Sequence, residues 1–271
     1  MREVFNRIQT HRPWLVITGA GISLGSGIPT YRDHEGNWLR SNPIQHQEFI
    51  QYEDKRKRYW ARSTLGWPPV SRAQPNNTHF LLAQLEQRGL MKGVITQNVD
   101  RLHQKAGHKR VIDLHGRLDR VKCLSCQQYE SRNNLQQRLI ELNPFLLTKE
   151  VQMAPDGDAH LENELTQQMK IANCLHCNGT LMPDVVFFGG TVPKATNLAT
   201  SKLFDECSGV ITIGSSLMVY SGYRFCKLAK QEHKPLIIIN QGKTRADDIA
   251  DFKIEKDCAT VLKGLLDHIG G

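Results

Sequence analysis

A chain of 271 residues, 39% of them hydrophobic, is long enough to close one large α/β domain or two modest ones around a core, so disorder is not the expectation. No run reaches the ~18 apolar residues that a membrane span needs, and the opening MREVFNRIQTHR lacks the apolar stretch of a signal peptide; a cytoplasmic monomer without membrane contact is expected, ahead of the mitochondrial matrix. The net charge of +8, from 35 basic and 27 acidic residues, suits phosphate ligands or acidic partners, and a single dense basic run at 55–58 is too little to expect nucleic acid.

In chain order, Trp14–Thr18 is a short apolar run ending at Gly19, the pattern of a buried parallel strand feeding a glycine turn. Residues 39–77 are polar, aromatic and basic, broken by Pro43, Pro68, Pro69 and Pro75. Residues 78–88 read as a helix carrying Phe80, Leu81, Leu82 and Leu85 on one side and stopped by Gly89. Met91–Thr96 repeats the strand pattern and ends at Gln97, and the run 111–114 ends at His115. Residues 119–183 hold two CxxC pairs and a polar insert containing Ala154-Pro-Asp-Gly-Asp158. Gly209–Ile213 then ends at Gly214 and Leu236–Ile239 at Asn240, with helical patterns at 222–232 and 258–269.

This alternation predicts an α/β protein with a doubly wound, Rossmann-like parallel sheet, its chemistry at the carboxyl ends of the strands. The two interruptions form a smaller lobe. We therefore expect one catalytic domain over 1–271: a Rossmann-like lobe of 1–38, 78–118 and 184–271, and a small lobe made of a helical part, 39–77, and a zinc module, 119–183.

Six motifs carry chemistry. Gly19-Ala-Gly21-Ile-Ser23-Leu-Gly25-Ser-Gly27 follows a strand, where glycines let the backbone approach a pyrophosphate and a helix N-terminus favours its charge. The acidic residue that an ordinary dehydrogenase carries about 20 positions on is missing from the stretch Trp38-Leu-Arg-Ser-Asn-Pro43, which argues against standard hydride transfer. Read alone, the loop is either a nucleotide site or an empty turn. Thr96-Gln97-Asn98-Val99-Asp100 offers amide and carboxylate groups for a ribose, a carboxamide or a water; an Asn/Asp helix cap is the competing reading. His115, at a strand end beside Gly116, suits a general base near neutral pH, or a structural role.

Cys123/Cys126 and Cys174/Cys177 suit two knuckles closing a tetrahedral four-thiolate zinc site, with no open position for catalysis; a redox pair is the alternative. Gly214-Ser215-Ser216 and Asn240-Gln241-Gly242 offer polar groups to ribose or adenine. Pro183-Asp-Val-Val186-Phe187-Phe188-Gly189-Gly190 is either an internal strand or one that an extended peptide could join.

Together these stretches resemble the sirtuins, the NAD-dependent protein-lysine deacylases, from about residue 14 to residue 260. The resemblance rests on GAGIS…SGIPTYR (Gly19 to Arg32), TQNVDRLH (Thr96 to His103), LHG, the two CxxC pairs, PDVVFFG, GSS and the N-Q-G turn. Pro43-Ile-Gln-His46, Arg58-Tyr-Trp-Ala-Arg62, Gly66-Trp67-Pro68, Gln74-Pro-Asn76, Ala154-Pro-Asp-Gly-Asp158 and Tyr220-Ser-Gly-Tyr-Arg224 look like the class II, sirtuin-4-like branch. Leu24-Gly25 and Tyr31 depart from the commoner residues.

The resemblance implies NAD+ as co-substrate, one structural Zn2+ and acyl-lysine proteins as partners. It implies a cofactor site of Gly19, Ala20, Gly21, Ile22, Ser23, Gly27, Ile28, Pro29, Tyr31, Arg32, Trp38, Gln97, Asn98, Val99, Asp100, Gly214, Ser215, Ser216, Asn240, Gln241, Gly242 and Cys258. Asn98 and Asp100 would hold the nicotinamide ribose and carboxamide, and His115 would be the general base. Products would be nicotinamide, free lysine and O-acyl-ADP-ribose. The peptide would lie as an added strand between Val186, Phe187, Phe188, Gly189 on one side and Leu217 to Tyr220 on the other. Tyr59 and Arg62 resemble a pair that meets a carboxylate on the acyl chain, which implies acidic acyl groups; exposed cations of a basic run are the alternative. Two rival functions are mono-ADP-ribosyl transfer to a protein and a non-enzymatic zinc and NAD-sensing module or nucleic-acid binder.

Overall fold

The structure, a computed structural model, describes residues 1–270 apart from Arg32, His34, Gly36, Trp38, residues 40–42 and residues 149–165. Arg32, Trp38 and the Ala154 to Asp158 run therefore lie outside the described residues. No helix among the described residues is long and apolar enough to cross a membrane.

The elements run α1 (Arg2–Thr10), β1 (Trp14–Thr18), α2 (His46–Gln51), α3 (Glu53–Arg72), α4 (Asn77–Gln87), β2 (Met91–Thr96), α5 (Leu102–Lys105), β3 (Val111–Asp113), β4 (Gly116–Cys123), β5 (Tyr129–Ser131), α6 (Arg132–Leu142), β6 (Leu181–Val185), α7 (Lys194–Asp205), β7 (Gly209–Ile213), α8 (Tyr220–Gln231), β8 (Leu236–Ile239), β9 (Phe252–Ile254) and α9 (Cys258–Gly270). Six strands form an all-parallel sheet in the order β3-β2-β1-β7-β8-β9. The order runs outward in opposite directions from the β1–β7 pair, so the topological switch point, where an open α/β sheet parts to admit a ligand, lies between those two strands.

Both faces of this sheet are covered, which is why its strands read as continuous apolar runs. Val16, Ile211, Ile213, Ile237 and Ile239 meet Phe5 and Ile8 of α1, Leu82 and Leu85 of α4, and Leu262 and Leu265 of α9. The alternate residues Leu15, Ile17, Val210, Leu236 and Ile238 meet Leu203 and Phe204 of α7 and Phe225 and Ala229 of α8. Leu82 and Leu85 of α4 fill the core as expected, whereas Phe80, expected beside them, is 45% exposed.

A second, three-stranded antiparallel sheet, β5-β4-β6, carries α2, α3 and α6 around its own core of Phe49, Trp60, Val121, Leu135, Leu139 and Met182. Within α3 the structure departs from the sequence pattern, because Pro68 and Pro69 sit inside a single 20-residue helix. A proline has no N–H, so Pro68 leaves the carbonyl of Thr64 without its helical donor. Gln136 of α6 supplies one, donating Nε2–H to Thr64 O at 2.7 Å. Beside it Arg132, buried between the rings of Trp60 and Trp67 at 5.5 Å from each, donates to Ser63 O and to Gln136 Oε1. At Pro68 a second helix thus completes the first.

Three histidines are buried where α4 and α5 meet the sheet: His79, His103 and His108. Their rings stack edge to face at 5.2 and 4.8 Å. His103 Nε2 meets Thr18 Oγ1 at 2.9 Å, and His108 Nδ1 meets Glu86 Oε2 at 2.8 Å. Burial, aided by the charge on His108, pushes His79 down to about 4, and burial takes His103 well below its ordinary range. The unfolded chain protonates these groups near pH 6.5, whereas the folded one excludes the proton until the pH is much lower. Stability is thus complete above pH 6.5 and falls with pH below it. His79 alone should account for about 3 kcal/mol lost between pH 6.5 and 4. Urea unfolding across that range is expected to show this slope and His79→Leu to reduce it by about one proton; an unchanged slope in the variant would contradict the assignment.

Candidate active site

At the switch point the loops after β1 and β7 pack backbone on backbone. Gly21 N donates to Gly214 O at 2.9 Å, and a Cβ on Gly21 would stand 2.8 Å from that same oxygen. Gly214 adopts a left-handed φ of +59° while its own added Cβ would strike Ile22 at 2.7 Å. The glycines expected to admit a pyrophosphate are thus required first by the contact between the two loops. The α-helix expected after them is replaced by a seven-residue 3-10 segment, Ala20–Ser26, closed by Gly27 at φ +82°. Asn76 holds this segment from the side, donating Nδ2–H to Ile22 O at 2.7 Å and to Ser26 Oγ at 3.0 Å.

A cleft of about 1160 Å³ opens over this point. It brings together Gly19, Ala20, Gly21, Ile22, Tyr31, Gln97, Asn98, Val99, His115, Gly214, Ser215, Ser216, Asn240, Gln241 and Cys258 from the expected nucleotide and catalytic set, with Tyr59, Val186, Phe187, Phe188, Gly189, Leu217 and Tyr220 from the expected substrate set. Ser23, Gly27, Ile28, Pro29, Asp100, Gly242 and Arg62 do not line it. Ile28 instead packs with Trp67 and Val70 of α3, so it fastens the loop to the small lobe. Sequence reasoning missed Ser221, Asn76, Ile44 and Lys243; Asn76, Ile44 and Ser221 lay inside motifs noted for their resemblance but given no role.

Gln97, the residue after β2, ties the site together. Its N–H donates to Thr18 O at 2.9 Å, and its side-chain Nε2 donates to Ser215 Oγ at 2.7 Å. Its carbonyl meets His115 Nδ1 at 3.1 Å. A carbonyl only accepts, so in the neutral ring the proton sits on Nδ1 and Nε2 keeps its lone pair. Nε2 lies 2.7 Å from Ser221 Oγ. Burial lowers the affinity of His115 for a proton, with the Gln97 carbonyl partly opposing it, so the ring is neutral at pH 7.

Asn98 donates Nδ2–H to Gly19 O at 3.0 Å and to Ser23 Oγ at 3.1 Å. Asp100, expected to hold the nicotinamide ribose, is placed behind the cleft wall. One oxygen accepts Ser23 Oγ–H at 2.7 Å and the other accepts the N–H of Leu102 at 2.9 Å, capping α5. Each oxygen thereby accepts one bond from the chain itself, and Ser23 links Asp100 to Asn98. Burial raises its pKa above the usual carboxylate value.

At the other end of the cleft, β6 is an edge strand of the antiparallel sheet. It ends at Val185, sooner than the sequence pattern suggests, because Gly190 N turns back to Phe187 O at 2.9 Å through Gly189 at φ +74°. The carbonyl of Phe188 accepts His46 N–H at 2.8 Å, and Val186 N–H donates to His115 O at 2.8 Å. The floor here is aromatic. Tyr59 and Phe187 meet at 5.2 Å between ring centres, and Phe49 stands 5.5 and 5.1 Å from them. Arg62 is half-buried and off the cleft lining.

Away from the cleft, Cys123, Cys126, Cys174 and Cys177 place their sulfurs within 4.8 Å of one another, the one such cluster among the described residues. Cys123 and Cys177 are 3.5 Å apart and Cys126 and Cys174 3.7 Å, close to the edge of about 3.8 Å of a sulfur tetrahedron around zinc. Each knuckle closes the same way: Gln127 N–H donates to Cys123 O and Asn178 N–H to Cys174 O, with Gln127 at φ +63° and Asn178 at φ +57°. The four-cysteine cluster fits one structural zinc. We expect metal analysis of the purified protein to find about one zinc per chain, and Cys174→Ser to lose it with a lowered melting temperature. Zinc-free wild type from zinc-replete cells would contradict the site.

The geometry has parallels of known family. Residues 19–221 match the sequence profile of the Sir2 family. The chain is 46% identical over 259 residues, 96% of its length and 95% of the other's, to a Bradyrhizobium diazoefficiens protein named NAD-dependent protein deacetylase 2. It is likewise 46% identical over 255 residues, 94% of its length and 87% of the other's, to the NAD-dependent protein deacetylase of Xanthomonas axonopodis pv. citri. Among solved structures, a Sir2 protein with a p53 peptide and NAD+ superposes with a TM-score of 0.79 at 31% identity, covering 100% of this chain and 98% of that one. Sir2 bound to acetylated peptide superposes with a TM-score of 0.76 at 30% identity over the same shares. The chain belongs to the Sir2 family, the sirtuins.

Proposed function

We propose that this protein is an NAD-dependent protein-lysine deacylase of the class II, sirtuin-4-like branch. The observation that carries the reaction is His115: a neutral imidazole fixed by Gln97 in the lining of the cleft at the switch point, with its basic nitrogen against the Ser221 hydroxyl. The deacetylase relatives and the neighbours solved with NAD+ and acetylated peptide support the same reading.

The residues present fit NAD. The cleft exceeds the ~300–1,000 Å³ of an ordinary small-molecule site, leaving room for a second substrate. Bound NAD would supply an electrophilic ribose carbon once nicotinamide leaves. Residues 19–22 would take the pyrophosphate, and Ser216, Gln241 and Cys258 the adenosine end. Asn98, its amide nitrogen held by Gly19 O and Ser23 Oγ, presents a fixed face to the nicotinamide end. The lysine side chain enters between Phe187 and Leu217, which positions its amide oxygen against the ribose. His115 then removes a ribose hydroxyl proton.

For the acyl group, Tyr59, Phe187 and Ile44 make an apolar end of the cleft, which favours acetyl and longer aliphatic chains; with Arg62 off the lining, acidic acyl groups gain no cationic partner there among the described residues. The same chemistry with a protein acceptor would give mono-ADP-ribosylation, recognised by a modified protein in place of free lysine and O-acyl-ADP-ribose.

Nicotinamide release measured with acetyl-, butyryl-, succinyl- and methylglutaryl-lysine peptides is the deciding experiment. The expected order places aliphatic above acidic acyl groups, with Arg62→Ala like wild type. His115→Ala should lower deacylation by roughly 10²- to 10⁴-fold, and the acid limb of the wild-type pH profile should lie below 6.5, since burial depresses that base. Unchanged turnover in His115→Ala would sink the assignment, and an acidic preference lost in Arg62→Ala would restore the carboxylate pocket.

A further inference from the structure

Ser221 is the second residue of α8, and its hydroxyl lies 2.7 Å from His115 Nε2. Because Nδ1 of the neutral ring gives its proton to the Gln97 carbonyl, Nε2 has one lone pair and no hydrogen. The Ser221 hydroxyl must therefore be the donor, and it occupies the one site at which the ring can take up a proton.

A proton from a ribose hydroxyl has two routes to Nε2: through Ser221, or by displacing it. The packing opposes displacement. Ser221 is held in the first turn of α8, where Gly222 N–H donates to Val219 O at 3.2 Å. A Cβ on Gly222 would stand 2.7 Å from Gln97 Oε1, so this turn presses on the same Gln97 that anchors the ring. Hydroxyl, imidazole and helix are referred to one residue. Ser221 and His115 both line the cleft, and Ser221 is only half-buried.

We propose that Ser221 is a proton relay between the ribose of NAD and His115; this rests on the deacylase reading given above. The proton of a ribose hydroxyl passes to Ser221 Oγ while the original Ser221 proton passes to Nε2. One O–H bond breaks and one forms at the serine, an N–H bond forms on the ring, and the electron pair stays on the ribose oxygen as the nucleophile. The product imidazolium donates Nε2–H back to Ser221 Oγ across the same contact, with donor and acceptor exchanged. A hydroxyl is the smallest side-chain group able to serve in both directions.

The test uses the full chain as wild type, Ser221→Ala, Ser221→Thr and His115→Ala. Exchange of labelled nicotinamide into NAD, which precedes any need for a base, is measured beside deacetylation of an acetyl-lysine peptide across pH 5–9. Ser221→Ala should keep exchange within about twofold of wild type and lose deacetylation by at least about tenfold, a fraction of the whole general-base effect. Ser221→Thr, which restores the hydroxyl, should recover most of it. Deacetylation at the wild-type rate in Ser221→Ala overturns the relay. So does an equal loss of exchange and deacetylation, the mark of a merely structural serine. Wild type that exchanges no nicotinamide overturns the deacylase reading, and the relay with it.

Discussion

The carbonyl of Gln97 holding His115 Nδ1 is the contact on which the site depends. It fixes which nitrogen is basic, and the rest of Gln97 decides where that nitrogen stands. The backbone N–H is bonded to Thr18 at the end of β1, and the side chain reaches Ser215 after β7. One residue therefore refers the base to both strands of the switch point. The close packing of Gly21 on Gly214 makes this possible, since any side chain there would separate the two loops and the bridge would no longer span them.

His115 also stands at a corner between the two sheets. The N–H of Leu114 still follows the parallel sheet, donating to Thr96 O, while Gly116 begins the antiparallel one. The turn demands glycine: φ is +81°, and a Cβ would overlap the carbonyl of Asp184. From this corner β4 runs roughly 25 Å to Cys123. Beside it β6 returns from the second knuckle to Val186, whose N–H meets His115 O. The cysteine cluster pins the far ends of two strands whose near ends are the base and the cleft wall. A closed tetrahedral site has no position for substrate, so its contribution is to hold the register of that pair.

Much of this was legible in the sequence because each buried parallel strand ends abruptly in polar or glycine residues. The runs ending at Gly19, Gln97, Gly214 and Asn240 located the cleft, and the repeated CxxC located the metal cluster. What was not legible depends on partners remote in sequence. The helix runs through Pro68 with Gln136 serving the Thr64 carbonyl, and no local pattern announces that. Asp100 caps α5 as one sequence reading allowed, but nothing local announces its bond to Ser23, 77 residues away. Arg62 lies within one turn of Tyr59 on the same helix, yet only the tyrosine lines the cleft, and no local pattern announces that. Ser221 had no local signature, since its meaning comes from a histidine 106 residues earlier.

The arrangement as a whole stands or falls with the protonation state of one ring. Nitrogen-15 NMR of histidine-labelled protein, with His115 assigned by comparison with His115→Gln, reads that state directly. At pH 7 the account predicts a neutral ring with the proton on Nδ1 and an unprotonated Nε2. A proton resident on Nε2, or an imidazolium at that pH, would contradict it.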